Sequence, residues 1–165
     1  MTEYVCEALS RKHDRKQFDC GVEELNSYLA RSASQDVKRK VAAVFVLCPQ
    51  NDSGRIAGFY TLCSTSIELM GLPKDVQKRL PRYPQVPGVL IGRLARDIDF
   101  PGLGTLLLAD ALSRCVEASK QIAASVIVVD AKDDAARQFH EKFGFQILPR
   151  LPSRLFFSMA TAEKL

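Results

Sequence analysis

The sequence predicts an α/β fold, a single domain over residues 1–165 built on a mixed β-sheet. Three observations lead there. Two strand-like runs, 41–48 and 55–67, are joined by Pro49-Gln50-Asn51-Asp52-Ser53-Gly54, and that is a hairpin pattern. Further on, strand-like runs 89–95 and 124–130 alternate with helical stretches 105–120 and 133–143, which requires a parallel crossover. The 165 residues, 47% hydrophobic and 25% charged, suit one domain with a real core.

The elements follow in order. Residues 4–8 form a short first strand. A helix opens at 21–25, with Val22, Leu25, Tyr28 and Leu29 on one face and Asp19 as its cap. A second helical stretch, 33–38, ends in Lys38-Arg39-Lys40. The run 41–48 is nearly all apolar, as a strand buried on both faces should be. Residues 73–80 form a short amphipathic helix, and 81–88 a proline-rich connector. The helix 105–120 has a broad apolar face that includes Leu106, Leu107, Ala109 and Leu112. Asp133 caps the helix that ends at Phe143. Runs 144–148 and 154–159 close the chain as strands.

Composition narrows the function classes. The net charge of +4 permits an anionic partner such as a nucleotide or RNA without demanding one. The basic residues cluster at Arg11-Lys12-His13-Asp14-Arg15-Lys16 and at Lys38-Arg39-Lys40. The five cysteines are widely spaced with no Cys-x-x-Cys pair, and with His13 and His140 they offer no clustered metal ligands. They read as reduced thiols of a cytoplasmic protein. No apolar run is long enough for a membrane helix, and the first six residues lack signal-peptide organisation.

The junction after Asp97 carries the chemistry. There a strand passes through Gly102-Leu103-Gly104 into a helix. Glycines at a helix start let backbone N–H groups approach a phosphate, and the helix dipole favours its charge.

The segment from Asp130 through Phe139-His140-Glu141-Lys142-Phe143-Gly144-Phe145 resembles the Ala-x-x-Phe-Tyr-x-x-x-Gly-Phe ending of GCN5-related N-acetyltransferases. Four other pieces resemble the toxin branch of that family. They are residues 18–29, Ile56-Ala57-Gly58-Phe59-Tyr60-Thr61-Leu62, Arg93-Leu94-Ala95-Arg96-Asp97 and Arg154-Leu155-Phe156-Phe157. The resemblance covers nearly the whole chain.

It implies a sheet that splays open after the fourth strand and admits acetyl-CoA. The thioester would run along Leu94, Ala95 and Arg96, and the pyrophosphate would sit on Gly102, Leu103, Gly104 and Thr105, with Phe139 also on the cofactor. Acetyl transfer to the α-amino group of charged tRNA would block translation. A ribbon-helix-helix antitoxin and a homodimer are the implied partners. His140 stands where the branch has a Tyr acting as acid toward sulfur, and histidine can donate a proton. Arg39 and Lys40 could contact tRNA phosphate, a charge-driven role.

The cofactor loop departs from the family pattern. It is two residues short between Asp97 and Gly102, so Asp99 falls where an Arg or Gln is usual. A carboxylate facing a pyrophosphate is repulsive. Two alternatives therefore stand beside the first: an acetyltransferase for a small amine or a protein N-terminus, and a cofactor-impaired relative that only binds partners.

Overall fold

The computed structural model describes residues 2–165. Seven strands form a mixed sheet: β1 (Tyr4–Ala8), β2 (Ala43–Pro49), β3 (Gly58–Glu68), β4 (Gln85–Arg96), β5 (Val126–Asp130), β6 (Gln146–Leu148) and β7 (Leu151–Ser158). Their order is β1-β2-β3-β4-β5-β7-β6. β1 pairs antiparallel with β2, and β2 with β3; β4 and β5 run parallel; β7 is antiparallel to both β5 and β6. The hairpin and the parallel crossover are both as expected. The residues group into two compact units, one running to residue 63 and adding 92–111, the other containing 64–91 and 112–165.

In the first unit the helical segment 23–38 packs on β2 and β3. Its parts are α1 (Glu23–Ser27), a π turn at Tyr28–Ser32, and α2 (Ala33–Lys38). The two expected helices are thus continuous. The π turn adds one residue to the hydrogen-bond ladder. Tyr28, Leu29 and Ala33 then share a core with Phe18, Val46 and Phe59. The Tyr28 ring stacks on Phe59, and Phe18 meets Phe59 edge-on.

Asp19 does not cap the helix directly. The N-cap residue is Val22, and Asp19 accepts instead from the Gly21 N–H and the Asn26 side chain. Those two bonds hold its carboxyl below the usual range, the Gly21 bond contributing most.

The other end of this segment closes with a Schellman motif. The Lys40 N–H donates to Val37 O and the Val41 N–H to Asp36 O. Lys40 occupies the left-handed position, with φ of 63°, where glycine is the usual residue. β2 therefore starts at Ala43, two residues later than the apolar run suggests.

β3 begins at Gly58. A Cβ there would lie 2.6 Å from a Leu107 methyl and 3.2 Å from the Ala95 carbonyl, so only glycine allows this approach. Leu107 belongs to α4 (Gly104–Ser119). The buried stripe of α4 is Leu107, Leu108, Ala111, Leu112 and Cys115, at helical spacing. Leu106 and Ala109, expected on the apolar face, are exposed instead. Burial pushes the Cys115 thiol up to about 12.

In the second unit β5 is buried from Val126 to Val129, as its composition requires. Val126, Val128, Phe156, Leu148, Val86 and Ile67 form its core with the short helix α3 (Lys74–Gln77). The proline-rich connector is shorter than expected, because residues 85–88 already belong to β4. Val86 and Gly88 are buried there, and the Pro87 carbonyl accepts from the Ser125 N–H. The chain closes with α5 (Asp134–Phe143) and α6 (Met159–Ala162). No helix among the described residues is long and apolar enough to cross a membrane.

Candidate active site

The pairing of β4 with β5 ends at Ile91↔Val129, while β4 itself continues to Arg96. Residues 92–96 thus run past the last parallel partner. Ala95 is buried, Leu94 half-buried and Arg96 exposed.

Asp97 follows, only 1% exposed, and organises the turn. Its Oδ2 accepts from the Asp19 N–H at 2.9 Å, and its Oδ1 from the Asp99 N–H at 2.8 Å. The Arg55 guanidinium lies 3.2 Å from Oδ1. The backbone adds Asp97 N–H to Ala57 O, Ile98 N–H to Asp19 O and Phe100 N–H to Asp97 O. The Arg96 guanidinium donates to the Asp97 carbonyl. A charged acceptor with this many donors is satisfied and rigid.

The same Arg55 sits 3.0 Å from the Asp99 carboxylate and over the Phe100 ring. Asp99 thus shares one guanidinium with Asp97, and the repulsion expected from its position is offset in part. Sequence reading missed Arg55, because it lies 44 residues from Asp99 in the chain.

Beyond Pro101, Gly102 has φ of 82°, and a Cβ on it would meet nothing within 4 Å. Leu103 is buried and anchors the turn, while Thr105 is exposed. α4 starts at Gly104 with no acidic residue in its first turn. The N–H groups of that turn have no acceptor inside the helix. An open glycine and a helix N-terminus, beside a carboxylate partly offset by Arg55, could hold a pyrophosphate. Gly102→Ala places an L-residue at positive φ, a strain of about 1 kcal/mol. Unfolding midpoints in urea should fall accordingly. The strain is the same with and without ligand, so any loss of acetyl-CoA affinity in calorimetry reads only the methyl group's obstruction of a phosphate approaching the backbone.

Arg93 lies in the same unit, with its guanidinium 3.6 Å from the centre of the Tyr28 ring. Tyr28 donates to Asp36 at 2.8 Å. Burial, helped by that bond, raises the Tyr28 hydroxyl to about 12, so it stays protonated at neutral pH. Asp36 also accepts the closing bond that sets up Lys40. Arg39 and Lys40 are exposed on the turn beside it.

His140 lies on α5 in the second unit. Asp133 caps this helix as expected, accepting from the Ala136 N–H at 2.8 Å. A second Schellman motif ends it: Gly144 N–H to Glu141 O and Phe145 N–H to His140 O. Gly144 has φ of 127°. The motif's usual apolar contact is here the His140 ring against Phe145, with half-buried Phe139 edge-on from the other side. His140 is 7% exposed, and its Nδ1 is buried without a hydrogen-bond partner among the described residues. A buried orphan nitrogen is costly unless something else uses it. Burial holds the imidazole below its usual pKa, so the ring is neutral at pH 7. Glu68, the carboxylate at the end of β3, is exposed and 3.9 Å from Arg150.

The sheet order, the β4 overrun and the glycine turn define an acetyltransferase fold of the GCN5-related type. No family model matches the chain. Whole-chain comparisons do. A tRNA-acetylating toxin of Mycobacterium tuberculosis (strain ATCC 25618 / H37Rv) is 36% identical over 95% of this chain and 93% of its own. The structure of AtaT complexed with acetyl-methionyl-tRNAfMet superimposes with a TM-score of 0.90 at 30% identity, covering 98% of both chains. A Tyr-to-Phe mutant of AtaT bound to the C-terminus of its antitoxin AtaR and to acetyl-CoA gives 0.82 at 27% identity, covering 98% of this chain and 96% of that one. The chain belongs to the tRNA-acetylating toxins.

Proposed function

We propose that this protein transfers the acetyl group of acetyl-CoA to the α-amino group of aminoacyl-tRNA and so stops translation in the cytoplasm. The full-length match to a tRNA-acetylating toxin carries the reading. The open glycine turn, with Asp99 paired to Arg55, and the orphan imidazole of His140 support it.

Acetyl-CoA supplies a thioester carbonyl: the amine nitrogen bonds to its carbon, the C–S bond breaks, and the proton lost from nitrogen ends on sulfur. The chain's residues divide the work. Backbone N–H groups of Leu94, Ala95 and Arg96 polarise the carbonyl oxygen. Gly102, Leu103, Gly104 and Thr105 hold the pyrophosphate. His140, flanked by Phe139, donates a hydrogen bond from a neutral ring N–H toward sulfur as negative charge builds there. Arg39 and Lys40 take tRNA phosphate.

Lys40 bears directly on the last role. A lysine held at φ 63° keeps backbone strain that glycine would relieve, and such strain collects at functional positions. Lys40→Gly should raise stability by about 1 kcal/mol in urea titrations. The same change should raise KM for charged tRNA, and a KM equal to wild type removes Lys40 from the interface.

We further propose a homodimer and neutralisation by a ribbon-helix-helix antitoxin; that AtaT is bound by its antitoxin AtaR supports an antitoxin partner. The substrate is tested with labelled acetyl-CoA and bulk charged tRNA. Alkaline deacylation should release the label as N-acetyl amino acid. Label that stays on the tRNA, or label entering only small amines, overturns the assignment.

A further inference from the structure

The second unit has an outward surface that the acetyl-transfer chemistry does not use. Residues 69–84 fold back on themselves through a hydrogen bond from the Leu69 N–H to the Pro84 carbonyl. A groove of about 400 Å³ results, with Met70, Lys74, Lys78, Arg82 and Tyr83 in its lining. Met70 is 62% exposed and Tyr83 69%, large apolar groups that a folded chain usually covers. Pro81 and Pro84 bracket Tyr83 and limit its backbone.

The surrounding charge is of one sign. Lys74, Lys78, Arg79 and Arg82 are exposed, and Asp75 is the one acid between residues 69 and 84. Several other cations of the unit have carboxylate partners, as at Lys120–Glu117, Arg137–Asp134, Arg150–Glu68 and Arg154–Asp130. These four have none among the described residues.

An exposed aromatic ring beside unpaired cations matches the two demands of unpaired nucleotides: a face for the base and positive charge for the backbone. Resting on charged tRNA as the substrate, we propose that the 69–84 groove docks a single-stranded stretch of that tRNA. Tyr83 stacks on a base, Met70 extends the apolar floor, and Lys74, Lys78 and Arg82 follow the phosphates. The groove sets affinity for tRNA and has no part in acetyl transfer itself.

Tyr83→Ala separates the two roles, since an exposed ring can be removed without disturbing the core. KM for bulk charged tRNA should rise about tenfold, the scale of one lost stacked base, with kcat and acetyl-CoA affinity at wild-type values. A short single-stranded oligoribonucleotide should compete better than a duplex of equal length, and Tyr83→Ala should abolish that preference. In the variant combining Lys74→Gln, Lys78→Gln and Arg82→Gln, the slope of log KM against log salt should flatten by about 2.

Wild-type KM and slope in both variants overturn the docking proposal alone. Absence of transfer to charged tRNA by the wild-type protein overturns the substrate assignment and the groove with it. Loss of antitoxin neutralisation, or of a dimer on size exclusion, at unchanged tRNA KM reassigns the surface to a protein partner and likewise overturns the proposal.

Discussion

Asp97→Ala is expected to lower the unfolding free energy by about 4 kcal/mol, on the scale of breaking a buried, hydrogen-bonded ion pair. The carboxylate is almost fully buried. Its removal leaves the Asp19 and Asp99 N–H groups without their acceptor and Arg55 with Asp99 alone. Urea unfolding with an unchanged m-value checks the number. Asp97→Asn should fall between wild type and alanine, since an amide keeps one acceptor oxygen and loses the charge. A loss under about 1 kcal/mol, the level of an exposed pair, would mean that Asp97 does not organise the turn.

His140→Ala should lower kcat for tRNA acetylation about a hundredfold, the upper end of what a hydrogen bond to a charged group contributes. Acetyl-CoA affinity should change little. His140→Tyr should restore much of the rate, because a hydroxyl returns a donor to the same helix position. A purely structural His140 predicts the reverse: altered stability in both variants with kcat intact.

The ring also imposes a pH signature. Burial lowers its pKa in the folded state, so the unfolded chain binds the extra proton first as pH falls below about 6.5. The contribution of His140 to stability is therefore whole above that pH and is lost as acid is added. His140→Tyr should flatten that limb of the stability profile.

How legible these features were depends on how local their causes are. The Asp133 cap follows from three or four neighbouring residues and formed as expected; Gly144 and Phe145, read as the start of a strand, close α5 instead, and the strand begins at Gln146. The buried strands β2 and β5 follow from unbroken apolar runs. The π turn carries no such mark. Residues 28–32 contain no Gly or Pro, and the extra residue is placed by the tertiary packing of Tyr28 and Leu29. The early start of β4 runs against the local signal of Pro84 and Pro87, and burial of Val86 decides it.

At the candidate site, the glycine turn and His140 stand out in the sequence pattern. Asp99 reads there as repulsive toward a pyrophosphate, and the Arg55 that pairs with it arrives from a distant hairpin. The orphan state of His140 Nδ1 was equally invisible, being a property of what surrounds the ring.

The dense bonding around Asp97 has a consequence for how a ligand arrives. The amides of Asp19, Asp97, Ile98, Asp99 and Phe100 all donate to protein acceptors. These protons should be among the slowly exchanging ones, because releasing them requires the first unit to open. A segment already ordered in the free protein gives up little entropy when it receives a nucleotide. On the proposed cofactor site, discrimination between acyl carriers would reside in a fixed surface, and association would need no slow folding step at the turn.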